Sequence, residues 1–426
     1  MTDAQVASLV FVATYAIIVS ERVHKTTAAL VGAMLLVAIK ILDTEAAFAA
    51  IDLNVIFLLA GMMIIANTLA STGFFQWAAI RAAKAARGSP WGVLVILAGS
   101  TALISAFLDN VTTVVLIAPV ALVVAQTMEV PATPSLIALV LASNVGGAAT
   151  VIGDPPNILI ASQADIDFVT FLMNVGPVAL LTLVAFLIVA GLISRWKLHA
   201  TPMQRERVMA LDESGLITNP RILRLSLAVL GLTVLGFLLQ GPLGYEPSMI
   251  ALMGAAALML LTRQDPHEVL RDIEWSTLFF FIGLFIVVAG LEQTGVLEDV
   301  GTWAADATDG SPTLAAMTIL WMSALLSGVI DNIPYTATML PIVEEMEADL
   351  AHDSAKHLLW WALAIGADFG GNLTVVGASA NVLVANLAAR AGYRISFVEF
   401  LRWGVPTTLG SMVIASAYLW VRYLAF

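Results

Sequence analysis

Residues 107–120 read FLDNVTTVVLIAPV and place the pair Asp109–Asn110 between two long apolar runs. A second stretch, GVIDNIPYTATMLPIV at residues 328–343, repeats the pattern with Asp331–Asn332. A carboxylate at membrane depth costs about 2.5–3.5 kcal/mol on insertion scales, so it is rarely kept for packing alone. The duplicated pair therefore indicates a functional centre in a chain that is built twice.

The composition predicts an all-α polytopic membrane protein. Of 426 residues, 60% are hydrophobic and 12% are charged, whereas a bilayer-spanning helix needs about 20 mostly apolar residues. The first apolar run, at 5–20, is expected to be a retained transmembrane helix and not a signal peptide. The chain has no cysteine and a net charge of -12, which argues against disulfides, thiolate metal sites and nucleic-acid binding. We expect a transporter without cofactor or metal centre, and not an enzyme.

Apolar runs between polar breaks predict seven helices in each half of the chain. The predicted helices span 5–20, 26–42, 53–71, 91–108, 112–128, 135–152, 170–194, 221–240, 247–262, 275–293, 312–330, 334–350, 357–377 and 400–422. The predicted organisation is a first repeat (1–194, with hairpin 91–128 and broken helix 135–163), a linker (195–220) and a second repeat (221–426, with hairpin 312–350 and broken helix 357–386).

The two halves repeat in register. An offset of 222 residues relates Asp109 to Asp331 and Gly61 to Gly283, and an offset of 224 relates GGAATVIG (146–153) to GGNLTVVG (370–377). Offsets that drift by a few residues are what loop insertions produce. We therefore predict two structural repeats, in which the pairs 91–128 and 312–350 are each either a re-entrant hairpin or two full spans.

The basic residues predict opposite orientations for the repeats. If both termini are periplasmic, 16 of the 19 Lys and Arg residues are cytoplasmic, and the exceptions are Lys40, Lys356 and Arg422. Each half then crosses the membrane an odd number of times. Inverted repeats with interrupted helices are typical of secondary transporters, whose sites lie where the broken segments meet.

The two Asp-Asn pairs predict helix N-termini at the hairpin tips. Asp, Asn and Thr are N-cap residues, and a helix N-terminus offers free N–H groups to a ligand. Either copy alone could be a capped turn at the membrane surface, but the duplication favours a cavity. We predict substrate contacts from Asn110, Thr112, Asn332 and Thr336.

The stretches SNVGGAATVIGDPPN (143–157) and DFGGNLTVVGASAN (368–381) predict the helix breaks. Paired glycines or prolines interrupt a helix, and unwound backbone at membrane depth is tolerated where it lines a polar cavity. Close helix packing is the alternative for either Gly-Gly pair. The predicted substrate contacts here are Ser143, Asn144, Gly147, Thr150, Gly371, Asn372 and Thr374.

Four carboxylates are candidates for proton coupling. Asp109 and Asp331 rank first because they are duplicated, whereas Asp154 and Asp368 each lack an aspartate at the equivalent position. The basic residues all fall in loops and helix ends, so we expect no Lys or Arg near the site. An acidic cavity favours a cation, or a neutral polyhydroxyl solute exchanged for protons, over a multiply charged carboxylate.

These two motif pairs resemble the ion transporter superfamily across nearly the whole chain, closest to its arsenite efflux permease and P-protein branch. The resemblance implies an all-α fold of about ten transmembrane helices plus two re-entrant hairpins, with a dimerising scaffold and a transport subdomain that moves as an elevator. It places Asp109, Asn110 and Thr112 at one tip, Asp331, Asn332 and Thr336 at the other, and the 143–150 and 368–374 residues at the breaks. Carboxylate carriers of the superfamily have Ser-Asn-Thr at their tips, which differs from Asp-Asn here.

The resemblance implies proton-coupled efflux of arsenite or antimonite across a bacterial cytoplasmic membrane. The alternatives are a sodium/proton antiporter that uses the same aspartates and a structural membrane scaffold. Membrane lipid and a second copy of the chain are the expected partners. The basic linker 195–220 would be the place for a cytoplasmic ATPase subunit, although an ordinary positive-inside linker explains it better.

Overall fold

A computed structural model describes residues 1–20, 22–308, 310–350 and 357–424, and these residues are all-helical. Lys356 lies outside them. The first repeat contains α1 (Asp3–Ser20), α2 (Lys25–Ala38), α3 (Thr44–Ala49), α4 (Leu53–Ala70), α5 (Phe74–Ala85), α6 (Pro90–Ser105), α7 (Asn110–Thr127), α8 (Thr133–Gly147), α9 (Pro155–Gln163) and α10 (Phe168–Lys197). The linker forms α11 (Pro202–Met209).

The second repeat contains the same succession with one added turn of helix, α13. Its helices are α12 (Pro220–Leu238), α13 (Gln240–Leu243), α14 (Pro247–Thr262), α15 (Pro266–Arg271), α16 (Trp275–Gln293), α17 (Val296–Ala307), α18 (Pro312–Ser327), α19 (Asn332–Leu350), α20 (Leu358–Gly370), α21 (Ser379–Arg390) and α22 (Phe397–Leu419), followed by a π-helix (Trp420–Leu424). The predicted pair of repeats is confirmed.

Helices α1, α2, α4, α12, α14 and α16 contact one another, and we call them the framework helices. Their packing depends on two equivalent glycines. A methyl group at Gly61 would lie 2.8 Å from the backbone of Ala251, and one at Gly283 would lie 2.7 Å from the backbone of Ala29. Small residues allow this approach of membrane helices, so α4 packs on α14 just as α16 packs on α2.

Helices α6–α10 and α18–α22 form a second group, which we call the site helices. Within it α6 packs on α8, α18 packs on α20, and α10 packs on α22. Contacts also cross between repeats, because α9 packs on α19 and α21 packs on α7. Each hairpin is therefore completed by the broken helix of the other half.

The observed helices match the predicted ones closely, and α14 and α16 have the predicted bounds. Seven described helices are long and apolar enough to span a membrane, and five more are shorter and apolar. Helices α5 and α17 were not predicted. Both follow an equivalent glycine with a left-handed backbone, Gly73 (φ 79°) and Gly295 (φ 75°), which turns the chain before the hairpins.

The linker folds onto the base of the first hairpin. Arg207 Nη1 lies 2.6 Å from Glu129 Oε1, and Glu213 pairs with Lys84 and with Arg81. The Lys84 hydrogen bond and the nearby positive charges hold the pKa of Glu213 below its ordinary value. The linker thus connects α5 to the end of α7 through ion pairs. Docking of an ATPase subunit there stays a prediction.

Candidate functional site

Both hairpin tips are helix N-termini, as predicted. The Thr112 N–H donates to Asp109 Oδ1 at 2.8 Å, and the Ile333 N–H donates to Asp331 Oδ1 at 3.1 Å. Each aspartate precedes the first residue of its helix, Asn110 in α7 and Asn332 in α19. The carboxylates thus satisfy backbone donors that the helix start leaves free.

The asparagines of both tips meet at one carboxylate, that of Asp154. Asn110 Nδ2 donates to Asp154 Oδ2 at 2.6 Å, and Asn332 Nδ2 approaches Asp154 Oδ1 at 3.4 Å. All three side chains are buried, and Asp154 is 1% exposed. Asp154 was the weaker candidate in the sequence, yet it is the residue that joins the two hairpins.

Asn144 extends this network to the second break. Its Nδ2 donates to Asn372 Oδ1 and to Asn381 Oδ1, both at 3.0 Å. Asn110 Nδ2 also approaches Asn144 Oδ1 at 3.3 Å. Residues from both tips and both breaks therefore form one buried set of amides and carboxylates.

Each break is closed by an asparagine that the sequence analysis did not select. Asn157 Nδ2 donates to the carbonyls of Gly147 and Thr150 at 3.3 and 3.1 Å. Asn381 does the same for its own break at 2.7 and 2.9 Å. The two asparagines are 224 residues apart, the same offset as the breaks, and that offset is the signal that would have found them.

Two threonines fasten the breaks to the hairpins. Thr150 Oγ1 donates to the Ala106 carbonyl at 2.5 Å, and Thr374 Oγ1 donates to the Gly328 carbonyl at 2.6 Å. Ser143 Oγ donates to Ser105 Oγ at 3.1 Å. These predicted site residues hold the backbone in place.

Asp368 is the exceptional member of the set. It is fully buried in α20, and neither carboxylate oxygen has a hydrogen-bond partner among the described residues. The Asn157 side chain lies beside the Asp368 carboxylate, and negative charges on Asp368 and Asp154 would repel each other. Among the described residues, Asn157 Oδ1 and Asn372 Nδ2 are unpartnered as well. A buried charge without a partner is costly, so this position favours a proton or a bound cation.

The expectation that no basic side chain reaches the site is wrong at one residue, Lys25. Its Nζ lies 3.1 Å from Asp331 Oδ2 and donates to Ser379 Oγ at 2.7 Å. Ser379 Oγ also donates to Asp331 Oδ2 at 2.6 Å. Lys25 begins α2, and its long side chain extends from the helix end towards the tip. A framework helix is thus joined to the second hairpin by an ion pair.

Several predicted residues lie outside the central network. The Asp109 carboxylate caps α7 and lies next to a cavity of about 10 Å³ lined by apolar residues of α4 and α9. Thr112 and Thr336 are buried at the tips, and Thr336 Oγ1 has no partner in the described part of the chain. Gly147 and Gly371 lie where two backbone segments of the same break approach each other closely. A methyl group at Gly147 would be 2.6 Å from the Gly153 carbonyl oxygen.

The arrangement supplies amide donors, amide acceptors and two carboxylates at the meeting point of four interrupted segments. No group of three or more His, Cys, Asp or Glu residues that could hold a metal ion occurs within the described ranges. Carboxylates of this kind can hold a proton, and the amides can hydrogen-bond a small polar solute.

A sequence model of the CitMHS family, described as a citrate transporter family, matches residues 15–366. The chain belongs to the CitMHS family. Several relatives of this CitMHS protein match over its whole length. An uncharacterized transporter of Mycobacterium tuberculosis is 45% identical over 425 residues, covering 98% of both chains. The mouse P protein is 34% identical over 508 residues, covering 99% of this chain and 61% of the P protein.

Two solved transporters share the fold. The YdaH transporter of Alcanivorax borkumensis has a TM-score of 0.60 at 15% identity and covers 97% of this chain and 98% of its own. MtrF of Neisseria gonorrhoeae, described as one of a class of antimetabolite efflux pumps, has a TM-score of 0.63 at 12% identity and covers 92% and 85%. The protein is a multi-pass membrane transporter of the ion transporter superfamily.

Proposed function

We propose that this CitMHS protein is a proton-coupled antiporter that exports a small uncharged solute, with arsenite or antimonite as the lead substrate. The observation that carries the proposal is the buried, unpartnered carboxylate of Asp368 beside the network centred on Asp154. Such a carboxyl group is stable when it is protonated, and it is unstable when it is charged and has no ligand or hydrogen-bond donor beside it.

Proton exchange follows from this instability. Protonated Asp368 is neutral and matches its buried surroundings. Entry of a solute that donates hydrogen bonds stabilises the charged carboxylate, so the proton can leave as the solute binds. Return of the proton then weakens solute binding on the other side. Asp154 is the second coupling group, while Asp109 and Asp331 act mainly as helix caps at the tips.

The charge of the site supports a neutral substrate. Arsenite and antimonite are uncharged trihydroxides at neutral pH, which amide and carboxylate groups can hold by hydrogen bonds without thiols. A citrate trianion would meet two buried carboxylates, Asp154 and Asp368, and the Lys25 ammonium is already paired with Asp331. Like charges in a water-poor site repel strongly, so the geometry disfavours a multiply charged anion.

Elevator-type movement is the proposed route across the membrane, with the site helices sliding against the framework helices. Such movement must separate Lys25 from Asp331, because they lie on opposite sides of that boundary. The natural chain has no cysteine, so cysteines placed at Lys25 and Ser379 can be joined by a cleavable thiol cross-linker. Cross-linking should stop transport and cleavage should restore it. Full transport by the cross-linked protein would exclude the movement.

The experiment that tests the coupling is arsenite uptake by inverted vesicles driven by a pH gradient. Asp368→Asn keeps the size of the side chain but cannot release a proton, so we expect uptake to fall to background. The matched control is Asp165→Asn, an exposed residue after α9, which should keep normal uptake. Gradient-driven uptake by Asp368→Asn at the normal rate would refute the coupling role.

A sodium/proton antiporter is the second candidate, and the unpartnered oxygens favour it. Within the described ranges, three buried oxygens have no hydrogen bond, namely Asp368 Oδ1, Asp368 Oδ2 and Asn157 Oδ1, and hard cations prefer oxygen ligands. Sodium-dependent proton movement in vesicles, with no response to arsenite or antimonite, would select this function over the first.

A further inference from the structure

A large cavity lies between α10 and α22, away from the central network. It has a volume of about 400 Å³, within the range of about 300–1,000 Å³ common for ligand sites. Its walls are mostly apolar and include Phe186, Val189, Ile193 and Ile414.

The two helices are joined by hydrogen bonds at one end. Near the end of α22, Tyr418 donates to the Asn174 carbonyl at 2.6 Å, and Arg422 Nη1 donates to the Met173 carbonyl at 2.8 Å. The cavity lies along the parts of α10 and α22 that are remote from these hydrogen bonds, where α10 leads into the linker. We call it the groove.

Polar, charged and aromatic side chains line the end of the groove next to the linker. Arg402, Trp403 and Ser194 line it, together with Glu399. Arg402 is exposed and has no ion-pair partner within the described part of the chain. Tryptophan is enriched at the membrane interface, and basic residues on the cytoplasmic side attract anionic lipids. A cation above an apolar groove is complementary to a phosphate attached to an acyl chain.

We propose that this groove binds one anionic phospholipid, with its phosphate on Arg402 and an acyl chain between α10 and α22. The lipid lies behind the second break. Gly404 of α22 is so close to that break that a methyl group there would be 2.5 Å from the carbonyl oxygens of Asn372 and Leu373. A lipid that fills the groove holds α22 in this contact, and so supports the break from outside.

Native mass spectrometry of the purified protein tests the proposal with phosphatidylglycerol and phosphatidylcholine of identical acyl chains. We expect one tightly held lipid per chain, with at least fivefold preference for phosphatidylglycerol. Arg402→Gln should lose that preference. The control Arg394→Gln, an exposed arginine that does not line the groove, should keep it. Equal binding of the two lipids by the natural protein would overturn the proposal.

A second pair of variants tests the acyl-chain site. Gly410 lines the groove, and a methyl group added there meets nothing within 4 Å, so Gly410→Leu should fill the space without a backbone clash and weaken both lipids at least tenfold. Gly231→Leu, at an exposed position of α12 where an added methyl group also meets nothing within 4 Å, is the matched control. Unchanged lipid binding by Gly410→Leu would refute the site. Loss of a protein dimer, instead of loss of lipid, would also refute it, because the groove would then be occupied by a second copy of the chain.

Hydrogen exchange tests the link to the break without any transport assay. Phosphatidylglycerol should slow exchange of residues 370–377 at least threefold in the natural protein and have no effect in Arg402→Gln. Identical exchange with and without the lipid would contradict the supporting role. These readouts do not depend on the transported solute, so they can fail while the proposed transport function stands.

Discussion

The two hairpin tips begin with the same Asp-Asn pair but have different surroundings. Asp331 is paired with Lys25 and Ser379, whereas no ion-pair partner of Asp109 occurs among the described residues, and its carboxylate lies beside apolar residues of α4. The offsets explain the difference, because the positions equivalent to Lys25 and Ser379 are Pro247 and Pro155. The two tips therefore share their backbone and their Asp-Asn pair, but not the side chains that surround the aspartate.

The breaks show the same division between backbone and charge. Asn157 and Asn381 close them identically, yet Asp154 corresponds to Ala378, and Asp368 corresponds to Asn144. Each half thus gives one buried carboxylate to the centre, from a different position. The backbone of the two breaks is therefore symmetric, whereas the positions of the buried carboxylates are not. A solute would meet a different environment from each half of the chain.

The largest expected difference between the tips concerns their asparagines. The Asn110 amide is 2.6 Å from Asp154, within hydrogen-bond range, whereas that of Asn332 is at 3.4 Å, where a bond is weak. A hydrogen bond to a charged group contributes about 1.5–3 kcal/mol, so Asn110→Ala should lower gradient-driven uptake by about 10–100-fold. Asn332→Ala should lower it a few-fold. Equal losses would show that the tips are equivalent at Asp154.

The next effect concerns the ion pair at the second tip. Lys25 and Asp331 side chains are 26% and 17% exposed, so water screens the pair only in part. Lys25→Met should reduce the free energy of unfolding by about 1–3 kcal/mol, because it leaves Asp331 without its cation. Thermal unfolding in detergent measures the change.

A double-mutant cycle gives the control for this ion pair. Adding Asp331→Asn to Lys25→Met should restore much of the stability, whereas adding Asp109→Asn should leave the Lys25→Met loss unchanged. Coupling between Lys25 and Asp109 would contradict the assigned asymmetry.

A smaller effect is expected from the cap of the first hairpin. Asp109→Ala removes the acceptor of the Thr112 N–H and should cost about 1 kcal/mol. Asp109→Asn keeps a capping side chain and should cost much less. Faster hydrogen exchange at residues 111–113 in the alanine variant, and near-normal exchange in the asparagine variant, would confirm a capping role. Similar losses in both variants would point to the charge instead.

The smallest effect lies at the base of the first hairpin. The pKa of Glu213 is lowered by its hydrogen bond to Lys84, so its contribution to stability is present at neutral pH. That contribution is lost as the pH falls below the ordinary glutamate range and through the lowered pKa of the folded state. Unfolding followed between pH 6 and pH 3 should show a shallower loss of stability in Glu213→Gln than in the natural chain. Parallel pH profiles would show that the contact between the linker and α5 does not depend on this charge.

The sequence predicted the frame well because apolar runs and repeat offsets report directly on helices and breaks. The observed bounds of α14 and α16 are the predicted ones. Helices α5 and α17 escaped because they have 12 residues each and carry charges, for example Arg81 and Lys84 in α5. A search for long apolar runs cannot find such helices.

The sequence ranked the four carboxylates by duplication, and which of them carries a proton stays a prediction. Duplication favoured Asp109 and Asp331, which cap helices, over Asp154 and Asp368, which lie at the centre. Lys25 was counted as a helix-end residue, and only the fold brings it to Asp331 across 306 positions of sequence. Contacts between distant segments leave no periodic trace in the chain, so the pairing of charges could not be predicted.

The exchange of helices between repeats, α9 on α19 and α21 on α7, bears on what half of the chain could form on its own. A half-length chain has a hairpin that lacks its partner helix. A second half must supply that helix, so neither half is expected to form a complete hairpin alone.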